Sequence, residues 1–334
     1  MQCRDNMGLF NRFKPSAPAT GSVTSTVEAV EQEALLLLEE GIAFEQQGNT
    51  ETALQRFDAA IALTPHLGRA HFCRGNILLD QGNAQAALDA YATALIHKPD
   101  SAAAHYNMGN ACVRLGRHED AVAAYRKAIA LKADFADAQV ALGGALEELG
   151  QLDDAAAHYR RALEIRPDYA EAYYNLGGAL AGQGQFEEAV TSYRRAIEIK
   201  PQYAEAHNRL GNALRELGRL DDAVTSYGRS LEINPGNAEV HFNQGVALQE
   251  LGQLERAEAC YRRTLEIKPE HVDACNNFGV ILVLGGQLDE AVKYFRRALA
   301  NNPDNAETQM NLGYALADLG LFDAGVACTR RALE

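Results

Sequence analysis

The sequence predicts an all-α fold, an α-solenoid of stacked antiparallel helix hairpins, on three observations. First, the seven prolines beyond residue 20 (Pro65, Pro99, Pro167, Pro201, Pro235, Pro269 and Pro303) stand 34 residues apart, with one gap of 68 in which Ala133 holds the missing place. Second, glycine recurs with the same period at two positions, Gly41 to Gly313 and Gly48 to Gly320. Third, an aromatic ring recurs likewise: Phe57, Tyr91, Tyr125, Tyr159, Tyr193, Tyr227, Tyr261 and Phe295. Such a period marks an array of one supersecondary unit, each too small to bury its apolar face alone. The 47% hydrophobic fraction excludes global disorder. No apolar run approaches the ~18 residues a membrane helix needs.

Counting slots 1–34 from residue 34 gives nine repeats: 34–67, 68–101, 102–135, 136–169, 170–203, 204–237, 238–271, 272–305 and an incomplete 306–334. Slots 4, 7, 8 and 11 have the i, i+3, i+4, i+7 spacing of one helical face, as in Leu176, Gly177 and Leu180, and define helix A. Glycine at slot 15 suits the left-handed residue that ends it. Slot 18 is acidic in eight repeats (Glu51, Glu119, Asp153, Glu187, Asp221, Glu255, Asp289, Asp323), which favours the positive N-terminal end of helix B. Slots 20, 24 and 27 form the apolar face of helix B, and proline at slot 32 stops it. Small residues at slots 8 and 20 are expected to let two backbones approach, with the slot 24 ring filling the space beside them. Repeat 1, with Glu40 at slot 7 and the run Leu35–Leu38, reads as an irregular cap. Repeat 9 stops at slot 29 without a polar capping helix, so the chain is expected to be part of a longer polypeptide. Residues 1–33, with Pro15, Pro18 and a Gly/Ser/Thr-rich stretch, read as a flexible leader in which Leu9, Phe10 and Phe13 form a candidate docking element.

Slots 4, 7, 8, 11, 20, 24, 27 and 32 are the signature slots of the tetratricopeptide repeat (TPR) family, which residues 34–334 resemble. Slot 4 departs from the family's tryptophan: the chain has none and places Tyr173 or His71, His105, His207 and His241 there. The resemblance implies a right-handed superhelix whose groove is lined by helix A, with slots 2, 5, 6, 9, 12 and 13 facing inward. Slot 6 carries Asn107, Asn175, Asn243, Asn277 and Asn311, and slot 9 adds Asn76, Asn110 and Asn212. An amide offers donors and an acceptor together, so this column is a candidate ladder for the backbone of an extended peptide. Alternatively, asparagine is only a common residue of these slots. Slot 2 forms an acidic edge of Asp137, Glu171, Glu205, Glu239, Asp273 and Glu307. It predicts a preference for basic or neutral peptides, or else serves the helix N-termini at ~0.3–1 kcal/mol each. Chaperone-binding members hold a carboxylate with Lys at slot 5. Here that slot has Phe72, Tyr106, Tyr174 and Phe242, so a chaperone carboxylate is not expected.

The charge of −14 argues against nucleic acid and anionic lipid as partners. The basic pairs at slots 25 and 26, such as Arg160-Arg161 and Arg194-Arg195, are expected to be absorbed by Glu164 and Glu198 at slot 29. The slot 4 histidines stand a full repeat apart and cannot share one ion at ~2 Å bonds, so no metal is predicted. No P-loop, HExxH or nucleophile elbow is present, and neither catalysis nor a cofactor is expected. Six cysteines without CxxC, no secretory signal and no membrane span point to the cytoplasm.

The expected function is a protein–protein interaction scaffold that holds an extended peptide or a partner's helix in its groove, with oligomeric state open. The alternative comes from stretches such as AEAHNRLGNALRELGRLDDAVTSYGRSLEINP, which resemble the TPR region of the O-GlcNAc transferase/SPINDLY family. That resemblance implies a substrate-recognition arm of a longer glycosyltransferase whose catalytic domain is not in this chain.

Overall fold

The 34-residue period becomes one helix pair per repeat. The computed structural model describes residues 24–333. The first three hairpins are α1 (Thr24–Gln46) with α2 (Thr50–Leu63), α3 (Gly68–Asp80) with α4 (Ala84–His97), and α5 (Ala102–Arg114) with α6 (His118–Leu131). The next three are α7 (Ala136–Glu148) with α8 (Leu152–Ile165), α9 (Ala170–Gly182) with α10 (Phe186–Ile199), and α11 (Ala204–Glu216) with α12 (Leu220–Ile233). The last are α13 (Ala238–Glu250) with α14 (Leu254–Ile267), α15 (Val272–Leu284) with α16 (Leu288–Asn301), and α17 (Ala306–Asp318) with α18 (Phe322–Arg331). Among the described residues there is no strand, and no helix is long and apolar enough to cross a membrane.

The chain divides into two compact units, Met1–Lys132 and Ala133–Glu334. The division falls at the slot where Ala133 stands in place of proline. Within each unit, every helix packs on its hairpin partner, and each helix B packs on the next helix A.

Helix α1 reaches back into the stretch expected as a leader. Helix α1 starts at Thr24, because nothing between Thr24 and Glu40 is glycine or proline. Its first turns are exposed, Val27 and Val30 included. Leu9, Phe10 and Phe13 lie outside the described residues.

Helix A ends as its glycine predicts. All nine slot 15 glycines have positive φ, between 69° and 84°. A Cβ there would meet nothing within 4 Å, so backbone conformation and not space requires glycine.

Slot 8 obeys the opposite rule. A Cβ on Gly41, Gly75, Gly109, Gly143, Gly177, Gly211, Gly245 or Gly279 would lie 2.4–2.7 Å from a ring carbon of the slot 24 aromatic of its own repeat. The small residue therefore makes room for a ring face, and in repeat 9 the two backbones also approach closely. There slot 24 is Thr329, and a Cβ on Gly325 would stand 2.8 Å from the Gly313 carbonyl oxygen. The eight rings are at most 2% exposed. Cys73 and Cys112 are both buried.

The slot 4 histidines have a backbone partner that the sequence did not suggest. His71, His105, His207 and His241 place Nε2 within 2.9–3.2 Å of the carbonyl oxygen of Pro65, Pro99, Pro201 and Pro235. A carbonyl only accepts, so Nε2 carries the proton and donates. In repeat 9, Gln309 makes the same bond to Pro303 at 2.6 Å. Each ties the end of one helix B to the next helix A.

Desolvation lowers the His241 pKa against a raising bond from Pro235, with Arg263 and Glu266 as the nearby charges. A folded-state pKa below the unfolded value means that the unfolded chain binds more protons. The His241 contribution is therefore complete above the unfolded pKa, near 6.5, and is lost as pH falls below it. His241→Gln keeps the donor and removes the titration. We expect its melting temperature to fall less between pH 7 and 5 than that of the parent; an identical acid limb would exclude His241 as a source.

Candidate binding face of the A helices

In the Ala133–Glu334 unit, slots 2, 5, 6, 9, 12 and 13 of repeat 6 line a recess of about 520 Å³, joined by Tyr174 of repeat 5 and by Glu239 and Asn243 of repeat 7. It brings together four predicted residues, Asn212, Asn243, Glu205 and Glu239. It also holds two that the sequence reading passed over, Arg209 and Arg215. Arg209 stands at a slot that is asparagine in five other repeats. The Tyr174 hydroxyl supports its charged form and raises its pKa. Arg215 lies 3.4 Å from Glu216. The recess is thus mixed in charge and not the uniform acidic edge that slot 2 suggested.

The amides divide into committed and uncommitted groups. In the Met1–Lys132 unit, Asn107 donates to Asn76 Oδ1 at 2.8 Å, and that oxygen also accepts from Tyr91 Oη at 3.0 Å. Asn110 accepts from Tyr125 Oη at 2.7 Å. In the other unit, Asn212 accepts from Tyr227 Oη at 2.8 Å, and Asn277 donates weakly to Tyr261 Oη at 3.4 Å. Asn311 donates to the buried Asn276 at 2.9 Å, which itself donates to Glu307 at 3.1 Å. Asn175 and Asn243 have no hydrogen-bond partner among the described residues. Asn208 buries its amide oxygen in the recess without one.

Behind the amides stands a pattern that joins core to face. The slot 24 ring fills the core, and in five of the six tyrosine repeats its hydroxyl passes helix A to an acceptor at slot 9 or slot 12; Tyr193, with Gly178 and Ala181 at those slots, is the exception. Where slot 9 is asparagine, as in Asn76, Asn110 and Asn212, the hydroxyl goes there. Where slot 9 is Gly144 or Val246, it goes to Glu147 at 2.9 Å or Gln249 at 2.8 Å. Where slot 24 is Phe57 or Phe295, slot 9 is the apolar Ile42 or Val280. Burial pushes the phenols of Tyr227 and Tyr261 up to about 12, so both remain donors. Tyr227→Phe should destabilise by about 0.5–1.5 kcal/mol in a denaturant melt. Phe57→Tyr, which finds Ile42, should destabilise more than Tyr227→Phe.

Of the slot 2 acids, Asp137 is tied to Arg166 through two oxygens at 3.0 and 3.2 Å and accepts from Tyr169 at 3.0 Å. Glu239 lies 3.5 Å from His271. Glu171, Glu205 and Asp273 are exposed in the first turns of α9, α11 and α15. Four of the seven slot 26 cations pair within their helix: Arg161–Glu164, Arg195–Glu198 at 2.6 Å, Arg229–Glu232 at 2.7 Å and Arg263–Glu266 at 2.7 Å. Among the described residues, no three His, Cys, Asp or Glu side chains are grouped to hold a metal.

The fold and this face define a helix-hairpin repeat protein that offers a polar surface along its A helices. Tetratricopeptide repeat models match residues 38–102, 72–136, 134–202, 180–227 and 238–271, and TPR repeat models match 211–252 and 279–320. The chain belongs to the tetratricopeptide repeat family. Its fold is similar to the C-terminal part of a TPR repeat-containing protein from Cytophaga hutchinsonii, at 17% identity and TM-score 0.61 over 72% of this chain and 99% of that one. A tetratricopeptide repeat protein from Parabacteroides merdae aligns at 17% identity and TM-score 0.56 over 75% and 99%. YrrB, described as a TPR protein with an unusual peptide-binding site, aligns at 26% identity and TM-score 0.50 over 56% and 96%. No curated protein matches the sequence.

Proposed function

We propose that the A-helix face of the Ala133–Glu334 unit binds an extended segment of a partner protein, as a non-catalytic interaction scaffold. One observation carries this reading: the amides of Asn175 and Asn243, at slot 6 of α9 and α13, have donors and acceptors not used inside the fold. A peptide backbone presents one donor and one acceptor per residue, which these groups complement. YrrB's described peptide site supports the class of ligand. Four slot 26 arginines are neutralised by glutamates of their own helices, and the chain's net charge is −14, which weighs against nucleic acid as the partner. Free thiols at Cys112, Cys260, Cys275 and Cys328 favour a reducing compartment, the cytoplasm. A substrate-presenting arm of an O-GlcNAc transferase-like enzyme would use the same face, and for that reading the repeat sequence is the support.

The test is selection of a random linear peptide library on the full chain, followed by anisotropy titration of the best binder. Asn175→Ala/Asn243→Ala should weaken binding about 10-fold, or ~1.4 kcal/mol, with an unchanged melt. Equal affinity in the double variant would remove these amides from the interface.

A further inference from the structure

Slot 9 is glycine in two successive repeats, Gly144 and Gly178. Both lie inside helices, α7 and α9, where alanine is preferred over glycine. Neither reason for glycine found elsewhere in the fold applies to them. Neither has positive φ. An added Cβ would stand 3.8 Å from Tyr159 Oη at Gly144, and 3.7 Å from Glu147 Oε1 and 3.9 Å from Tyr193 Oη at Gly178, which are ordinary contacts. The remaining use of glycine is close approach of a ligand to the backbone.

The polar groups beside Gly178 point the same way. Tyr193 is 1% exposed, and its hydroxyl reaches this notch with no hydrogen-bond partner among the described residues. A buried donor left unmade is costly. Burial raises the Tyr193 phenol pKa against the lowering charge of Arg209, so the hydroxyl keeps its proton. Glu147 accepts from Tyr159 with Oε2 and leaves Oε1 beside Gly178. Asn175, with its unused amide, stands three residues earlier on the same side of α9. A donor and an acceptor thus flank the missing Cβ, and every non-proline peptide residue presents the matching C=O and N–H.

We propose that an extended peptide passes directly over Gly178, with a main-chain carbonyl accepting from Tyr193 Oη and a main-chain N–H donating to Glu147 Oε1. This rests on the peptide-binding reading above and assigns the point of closest contact within it. Gly144 continues the same floor onto α7, which touches α9. The notch reads backbone, and the flanking slots supply side-chain selectivity.

The test uses the library-selected binder and anisotropy on the full chain. Tyr193→Phe keeps the ring and removes a hydroxyl that bonds nothing inside the fold. It should lower affinity about fivefold with an unchanged melt. Gly178→Ala should raise the melting temperature and still lower affinity by about that factor or more. Gly228→Ala on α12, whose added Cβ would meet Gln244 at an ordinary 3.6 Å, should raise the melting temperature and leave affinity alone. The Tyr193→Phe loss should persist on peptides with each residue replaced in turn by alanine, because the main-chain carbonyl remains. A loss that vanishes with one such peptide would place the hydroxyl on a side chain and overturn the assignment. A binder weakened by Asn175→Ala/Asn243→Ala but indifferent to Tyr193→Phe and Gly178→Ala would overturn the notch alone, whereas a library that yields no binder would overturn both readings.

Discussion

Tyr193→Ala lowers the stability of the Ala133–Glu334 unit by about 3–5 kcal/mol, the range of buried aromatic truncations. The ring is 1% exposed, lies against Gly177, and meets Tyr174 with centroids 6.0 Å apart. Removing it leaves a cavity with no side chain able to move in, because Gly177 has none to offer and the flanking Ala189 and Ala196 are short. In a stack held by nearest-neighbour interfaces, the loss also reaches the repeats on either side. A urea melt should show a lower midpoint, and amide exchange should accelerate first in α9 and α10. A loss under about 1 kcal/mol would mean that slot 24 is not the keystone of its hairpin.

The sequence showed the elements and their core because each repeat states the rule again. Nine copies separate the glycine needed for its backbone from the glycine needed for its absent side chain only once φ and the neighbouring ring are seen: Gly184 has φ +75° and open space, whereas Gly177 faces Tyr193. Binding residues were less legible. Asparagine at slots 6 and 9 reads as one column, yet Asn212 spends its oxygen on Tyr227 while Asn243 keeps both groups. The signal for that division was present as a paired choice of slot 24 tyrosine with a polar slot 9 or 12 in every tyrosine repeat but that of Tyr193. It needs a path across helix A, from the core to the opposite side, to be recognised. Arg209 was hidden for a different reason: it is an exception to its column, and a reading based on period discounts exceptions. The start of α1 at Thr24 lies beyond Pro15 and Pro18, and residues 24–40 hold neither glycine nor proline, so the helix runs back into the expected leader.

Gly177→Ala destabilises by about 1–3 kcal/mol, and the same change becomes neutral or stabilising once Tyr193 is alanine. In the parent, the new methyl group would lie 2.6 Å from Cε1 and 2.8 Å from Cδ1 of the ring. The ring cannot retreat, since it is enclosed. In the Tyr193→Ala background the obstacle is gone, and alanine inside a helix is preferred over glycine by about 1 kcal/mol. The two sites should therefore show a coupling of at least about 2 kcal/mol in a double-mutant cycle, near the top of the range for residues in contact. Gly184→Ala is the control. Its penalty of about 1–2 kcal/mol comes from left-handed backbone, nothing lies within 4 Å of its added carbon, and so it should be the same with or without the Tyr193 ring. A cycle in which Gly177 and Gly184 respond alike to loss of the ring would reject ring contact as the reason for glycine at slot 8.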